Sequence, residues 1–445
     1  MDQNILNTLL IYNPWLKKPE VWQDAVSRHL PPARGYPYLK RYADHSPQWS
    51  ANKVNLVVGP RQCGKSTLIW HTLSNLTPQV VYVNANELIL REWCTSPALV
   101  TEDLKGLVDR PEALFFEEVQ YLENAGLFLK GLVDLHPDFR IFATGSASFH
   151  LHDMMRESLA GRAERMQLFP FSLNEWRQAD VNRPQSVVEQ ITNEQLSRML
   201  VFGFYPEVCF AEQPESILNR LVEAFVIRDA SDTFRIRYVD KFRKLMMLMA
   251  VQVGNLVNFA SMASDTGLNV KTLENYTDIL QEAGIIKLIP PYVGGRRAEI
   301  KSAPKLFFVD NGIRNLLVNQ FNVFEMRADK GALFENWVFS ELLKHKRYND
   351  QMYYWRSKSG AEVDFVRRQG VALDCFEAKA GNLRGPALSR SARSFIEAYQ
   401  PRTFYVVNPS FSAKDTIDGT HLVWLTPQAF QDLLWSEKLD RQGGC

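Results

Sequence analysis

The 445-residue sequence is poor in cysteine and arranges none of it in a pattern. Cys63, Cys94, Cys209, Cys375 and Cys445 stand apart, with no CxxC and no Cys/His spacing. That excludes a disulfide framework and a cysteine-ligated zinc centre, and points to a reducing, cytosolic setting. An excess of either charge is also missing. Lys and Arg number 51 against 50 Asp and Glu, a formal net charge of +1, so a globally basic scaffold is excluded and any nucleic-acid footprint must be local. No stretch approaches the roughly 18 apolar residues that a spanning helix needs, and "MDQNILNTLLIYNPW" has no basic region ahead of its short apolar run. The expectation is a cytoplasmic, complete chain with no membrane segment. Internal repeats and low-complexity tracts are absent as well. What remains is ordinary for a soluble globular protein, 46% hydrophobic and 23% charged, and too long for one core at about 100 to 200 residues per domain.

The first positive signal is "KVNLVVGPRQCGKSTLIWHTL". A β-branched run leads into Gly59, Pro60, Arg61, Gln62, Cys63, Gly64, Lys65, Ser66 and Thr67, and then into helical periodicity. That is the strand, loop and helix order of a P-loop. Gly59 and Gly64 let backbone N–H groups turn toward phosphates, Lys65 reaches their oxygens, and the Ser66 hydroxyl suits Mg²⁺ at a helix N-terminus. ATP and Mg²⁺ are the cofactors this pattern calls for.

About fifty residues on, "ALFFEEVQYL" is an apolar strand ending in Glu117 and Glu118. A P-loop ATPase keeps one acid there for the metal and one to activate water. Glu117 stands where aspartate is usual, and its longer side chain suits a contact to Mg²⁺ through water. Glu118 is the candidate catalytic acid. "DFRIFATGSAS" reads as a further buried strand whose polar end, Thr144, is placed to sense a γ-phosphate. In "LAGRAERMQLFPFS", Arg162 and Arg165 are candidates to stabilise transition-state charge, within the subunit or across a subunit boundary.

The middle of the chain, "NLVNFASMASDTGLNVKTLENYTDILQEAGIIKLI", reads as helix, turn at Gly267, helix with Asn269 as N-cap, then strand. Leu273, Tyr276, Leu280 and Ile285 fall on the side expected to be buried. Two apolar strands about Gly294-Gly295 complete the pattern of a winged helix. Arg296, Arg297, Lys301 and Lys305 lie in or near the wing, and Lys271, Thr272 and Asn275 lie on the second helix, where they would meet DNA phosphates or a groove.

Toward the C-terminus, "AEVDFV" and "LDCFEAK" are short alternating strands that turn Asp364, Glu377 and Lys379 to one side. The preceding helical stretch "GALFENWVFSELLKHKR" carries Glu335. These positions match the PD-(D/E)xK nuclease pattern, with Asp364 and Glu377 as Mg²⁺ ligands, Lys379 as the stabilising cation and Glu335 as the helix acid. Arg356, Lys358, Arg367 and Arg368, then Arg384, Arg390 and Arg393, surround the strands with positive charge that would attract phosphates.

The order "GPRQCGKST", "FFEEVQ", "TGSAS", "GRAERMQLFPFS" and "FVIRDA" resembles a large bacterial and archaeal family of AAA+ ATPases, over about Asn52 to Gly381. In that family a winged helix and a nuclease-like domain follow the motor. The resemblance implies an arginine finger, Arg162 or Arg165, acting from a neighbouring subunit, hence a homo-oligomeric ring, with a hexamer as one such assembly. It also implies a sensor role near the nucleotide for Arg228. The layout is analogous to that of Holliday-junction branch-migration motors.

The fold class expected is α/β: an N-terminal extension at 1–50, an AAA+ P-loop ATPase core at 51–175 and a helical lid at 176–240. A winged-helix domain at 241–320 and a restriction-endonuclease-like domain at 321–445 complete it. The function expected is a DNA-stimulated ATPase that remodels branched or junction DNA. An ATP-regulated, Mg²⁺-dependent nuclease and a nucleotide-switched scaffold are the alternatives.

Overall fold

The apolar runs read from the sequence become strands because they are buried on both faces, which a parallel sheet between helices requires. The structure, a computed structural model, describes all residues except 46–48, 136–137, 147–158, 178–184, 227–229, 231–235, 294–302, 348 and 440–445. The chain forms two compact units, Met1–Pro170 and Phe171–Cys445.

In the first unit β1 (Val54–Gly59), β2 (Val80–Asn84), β3 (Ala113–Glu117), β4 (Arg140–Ser146) and β5 (Ala163–Gln167) form a parallel sheet of order β2-β3-β4-β1-β5. The helix Lys65–Leu73 follows the loop at the C-terminal end of β1, which lies between β4 and β5. Ligands bind at that end in open sheets of this kind, where neighbouring connections diverge.

The N-terminal segment is built into this unit. The Asn13 side chain is fully buried and behaves like a piece of strand: its amide donates to the Tyr82 carbonyl at 2.9 Å, and its carbonyl oxygen accepts from the Tyr82 N–H at 2.7 Å. Trp15 donates its indole N–H to the Val80 carbonyl at 2.8 Å. All three bonds fall on β2, the edge of the sheet, so they satisfy backbone groups that would otherwise template pairing with another chain.

In the second unit, the helix Phe259–Thr266 is capped by Asn258 and ends at Gly267, whose φ of 65° is the left-handed conformation glycine adopts without strain. The helix Val270–Glu282 follows with Asn269 as N-cap, its oxygen accepting from the Thr272 N–H at 2.8 Å. Leu273, Tyr276, Leu280 and Ile285 are buried, as their spacing predicts. β6 (Ile286–Ile289) and β7 (Lys305–Phe308) then pair antiparallel. Of the residues assigned to the wing tip, Gly294, Gly295, Arg296, Arg297 and Lys301 lie outside the described residues, as does Arg228.

The last part is a six-stranded mixed sheet of β8 (Gln351–Arg356), β9 (Glu362–Gln369), β10 (Ala372–Ala378), β11 (Thr403–Val407), β12 (Ala413–Ile417) and β13 (Thr420–Leu425), in the order β12-β13-β11-β10-β9-β8. The helix Arg390–Tyr399 places Phe395 and Ile396 with Val363, Cys375 and Phe404. On the other side, Phe339 of the helix Lys330–Lys344 meets Phe365, and Phe430 of the last helix meets Phe376.

β7 is tied to this part by Asn336, whose amide exchanges two bonds with the Phe308 N–H and carbonyl at 2.7 and 3.0 Å. Asp310 is nearly fully buried and accepts from the N–H groups of Phe204, Gly312 and Ile313.

Replacing Asn13 by Ala should leave the Tyr82 N–H and carbonyl without partners on the sheet edge and destabilise this unit by about 2 kcal/mol. Hydrogen exchange on the full chain reports it: the Tyr82 amide should lose protection while the β4 amides keep theirs.

Candidate functional site

The P-loop takes its shape from two left-handed residues, Gln62 at φ 56° and Gly64 at φ 99°. Alternating backbone conformations of this kind turn successive N–H groups toward one point and make a nest for an anion. Gly59 meets a second constraint. A Cβ there would collide with the Leu168 carbonyl oxygen, because the chain leaving β5 runs hard against the loop, with the Leu168 N–H bonded to the Val58 carbonyl at 2.8 Å.

Lys65 is 5% exposed, and its ammonium donates to the Gly59 and Pro60 carbonyls at 3.1 and 2.8 Å. Two peptide oxygens do not neutralise a buried positive charge, so the residues present fit an anionic group such as a nucleotide phosphate. Ser66, one residue on at the helix start, stands where a phosphate-bound Mg²⁺ would be held.

The acids end the adjacent strand. Glu117 accepts a hydrogen bond from the buried Tyr82 hydroxyl. Burial first, and the neighbouring Glu117 charge second, push the Tyr82 phenol far above its ordinary range, which keeps it a donor. Glu118 follows at φ 59°, an uncommon backbone state for a side chain with a Cβ. Its N–H reaches the Thr144 hydroxyl at 3.4 Å, and its carboxylate accepts from Gln120. Thr144 is fully buried, so it fixes the backbone of the acid beside it. Arg61 of the loop donates to the Tyr121 hydroxyl at 3.3 Å, joining the loop to the turn after Glu118. Lys65 in the helix after β1, Glu118 just past β3 and Thr144 on β4 thus sit on or just after three consecutive strands of the sheet, β3-β4-β1.

The two arginines after β4 lie apart from this group. Arg162 pairs through Nε with Asp134 at 2.6 Å. Arg165 is exposed on β5, in register with Leu56.

Sequence reading missed Arg41. It is 4% exposed and reaches from the N-terminal segment to donate to the Cys63 carbonyl at 2.8 Å and to the Phe169 carbonyl at 2.6 Å. Its guanidinium lies 3.3 Å from where a Gly64 Cβ would be. The planar fork therefore clamps the loop to the chain after β5. No local motif marks it, since its two partners are 22 and 128 residues away. The only sequence signal is an arginine inside an aromatic stretch, "YPYLKRY".

A second charged cluster lies in the other unit. Glu335 on its helix, Asp364 on β9 and Glu377 and Lys379 at the end of β10 do come together. The Asp364 carboxylate accepts from the Ala378 N–H at 2.8 Å, and Lys379 Nζ lies 2.5 Å from Glu377 Oε1. Burial, then the Glu335 charge, push Asp364 up to about 8. Two expectations need correction. Lys305 is not a wing residue exposed to phosphate: it is 3% exposed and pairs with Glu335, at 3.2 Å, and with Glu362. The reason is that it opens a strand buried on both faces, "KLFF". Arg367 likewise does not add to an external field, because it is buried between Asp374 at 3.0 Å and Glu437 at 2.8 Å. Lys271, Arg384, Arg390 and Arg393 are exposed.

Comparison with known proteins agrees with the front half. A family model described as "AAA domain" matches residues 51–177, and two described as "Domain of unknown function (DUF8612)" and "Domain of unknown function (DUF4143)" match 193–323 and 330–427. Residues 51–177, which fold on the parallel sheet, are thus similar to an AAA domain. An uncharacterized protein of Mycobacterium tuberculosis is 26% identical over 375 residues, 82% of this chain and 79% of the relative. One of Methanocaldococcus jannaschii is 22% identical over 328 residues, 71% and 72% of the two chains. A signal-transduction ATPase of Pyrococcus horikoshii with a tetratricopeptide repeat sensor has 12% identity and a TM-score of 0.26, with 70% of this chain and 46% of that one covered. No helix among the described residues is long and apolar enough to cross a membrane.

Arg41→Ala should weaken nucleotide binding by about tenfold or more, because a charged hydrogen bond to the loop is worth roughly 1.5–3 kcal/mol. Arg41→Lys should recover only part of the loss, since an ammonium cannot span two carbonyls as a fork does. Titration with a fluorescent ATP analogue measures both.

Proposed function

We propose that this protein binds and hydrolyses ATP and couples turnover to the handling of DNA. The observation that carries the first half is the buried Lys65 ammonium at the start of a helix, held among the described residues by peptide carbonyls, with Glu118 at the end of the next strand but one. In this reading Gly59 to Thr67 wrap the phosphates, and Lys65 and Ser66 meet the β- and γ-phosphate oxygens and Mg²⁺. Glu117 would help to hold Mg²⁺ through water, Glu118 would activate the attacking water, and Thr144 keeps Glu118 in place. Mg²⁺ supplies charge neutralisation at the phosphates. Arg162 or Arg165 would serve as the finger for a neighbouring subunit in a homo-oligomeric ring.

The DNA half rests on exposed cations: Lys271 on the second helix of the helix-turn-helix, and Arg384, Arg390 and Arg393 beside the six-stranded sheet. With a winged helix and a restriction-endonuclease-like fold as grips, branched or junction DNA is the form to test first. One observation favours the nucleotide-switched scaffold instead. The exposed face of the helix Val270–Glu282 shows Glu274 and Asp278 beside Lys271 and Asn275, and two acids oppose phosphate.

Lys65→Ala should abolish tight ATP binding, whereas Glu118→Gln should bind ATP and turn it over at least about 100-fold more slowly, as loss of general-base help does. Wild-type turnover in Glu118→Gln would refute the assignment of that acid. For a finger acting between subunits, Arg162→Ala or Arg165→Ala should regain hydrolysis when mixed with Lys65→Ala.

Replacing Arg384, Arg390 and Arg393 together by Ala should weaken four-way and duplex DNA alike and flatten the salt dependence by about 0.9 per phosphate contact removed. Unchanged ATPase rates with single-stranded, duplex and four-way DNA would favour the scaffold.

A further inference from the structure

A divalent metal is what the PD-(D/E)xK pattern implies for the cluster of the second unit, and the residues present do not fit one. A Mg²⁺ ligand set needs carboxylate oxygens turned to a common point and free of other cations. Here Lys305 Nζ sits between Glu335 Oε1, at 3.2 Å, and Glu362, with its side chain 4% exposed. Lys379 Nζ holds Glu377 Oε1 at 2.5 Å, and the other Glu377 oxygen accepts from the Ser389 hydroxyl at 3.2 Å. One Asp364 oxygen is taken by the Ala378 N–H. Arg356 adds a third positive charge, 3.8 Å from Glu362. Among the described residues no three His, Cys, Asp or Glu side chains are placed to share a metal ion.

We infer that Lys305 is the resident cation of this cluster, that the cluster therefore takes no divalent metal, and that its work is to lock β7 onto the C-terminal sheet.

The connections of Lys305 support the second half. It starts β7, the strand that completes the helix-turn-helix sheet, while Glu335 belongs to the helix Lys330–Lys344 and Glu362 to β9. Tyr354 on β8 packs its ring 5.8 Å from the same ammonium and donates its hydroxyl to the Ala303 carbonyl at 2.7 Å. One buried side chain thus joins three elements of the C-terminal part to the strand that follows the recognition pattern. A neutral residue there would leave Glu335 and Glu362 facing one another with Arg356, 3.8 Å from Glu362, and Lys379 as the nearby positive charges, a state closer to one that a divalent ion neutralises. The consequence is a domain that retains the acids of a nuclease and does not cut.

This inference is independent of ATP turnover. Full-length protein without nucleotide is titrated with Mn²⁺, and free ion is read by electron paramagnetic resonance. Wild type should hold no Mn²⁺ that Asp364→Asn removes. Lys305→Met should gain a site about tenfold tighter or more, because an opposing unit charge is gone from a few ångströms away, and Lys305→Met with Asp364→Asn should lose it. Lys305→Arg restores the charge and should bind none. Wild-type DNA in Mg²⁺ or Mn²⁺ should stay uncut. Asp364-dependent Mn²⁺ binding or DNA cleavage by the wild type overturns the inference whether or not Lys305→Met folds. A folded Lys305→Met that binds no Mn²⁺ overturns the assignment of Lys305 as the group that closes the cluster.

Discussion

The P-loop depends on a buried ammonium that has no carboxylate partner among the described residues. Lys65 is almost wholly removed from water and bonded to two peptide carbonyls, which carry no compensating charge. Such a site gains most when an anion arrives. The left-handed turns at Gln62 and Gly64, the collision that bars a side chain at Gly59 and the Arg41 clamp all help to hold the loop in its shape around this ammonium. Lys305 is the opposite case. It is buried to a similar degree but is surrounded by carboxylates, and its pairing raises its affinity for its proton despite the desolvation that opposes it. The same residue type therefore makes one site that demands a ligand and one that is already complete.

Both units solve the problem of an exposed strand with the same side chain. Asn13 exchanges two hydrogen bonds with Tyr82 on the edge of the parallel sheet, and Asn336 exchanges two with Phe308 on β7. A primary amide presents a donor and an acceptor in one plane, as a peptide unit does, so a single buried asparagine continues the ladder by one rung and stops it there. In each case the asparagine comes from a non-strand element: a turn before the sheet, or a helix after it. The N-terminal segment is consequently part of the first unit, because it closes one edge of the sheet through Asn13 and braces the loop through Arg41.

What could be read from sequence was what is encoded within one strand, loop and helix. The P-loop, the acids at the end of β3, Thr144 at the end of β4 and the Gly267-Leu268-Asn269 turn with its buried Leu273, Tyr276 and Leu280 are local patterns, and each lies where its periodicity puts it. The acid cluster was legible as a pattern, and Glu335, Asp364, Glu377 and Lys379 do converge. A fifth member was not. Lys305 looked like a wing cation because neighbouring Arg296, Arg297 and Lys301 are basic, and the contrary signal, a lysine opening the fully apolar run Leu306-Phe307-Phe308, is weak without knowing that both faces of that strand are covered. Arg41 was illegible for a related reason. A side chain whose partners are backbone carbonyls leaves no mark at their positions, since any residue supplies a carbonyl.

Near-neutral net charge has a structural meaning in this chain. In the second unit many cations are committed internally: Lys305 to Glu335 and Glu362, Arg314 and Arg327 to Asp329, Lys344 to Glu341, and Arg367 and Arg402 to Asp374. Burial alone would raise the Asp329 carboxyl, but the hydrogen bonds from Arg327 and Arg314 hold it down to about 2, so that pairing persists through the physiological range. Charges neutralised within hydrogen-bonded networks contribute little to the field outside. An external phosphate therefore responds mainly to the cations that remain at the surface. Arg384 lies in the loop before the helix Arg390–Tyr399, and Arg390 and Arg393 lie in its first turn, where the helix N-terminus adds positive potential of its own. A composition with no overall basic character can in this way still present a local basic face, because Arg384, Arg390 and Arg393 stand close in sequence around one helix N-terminus.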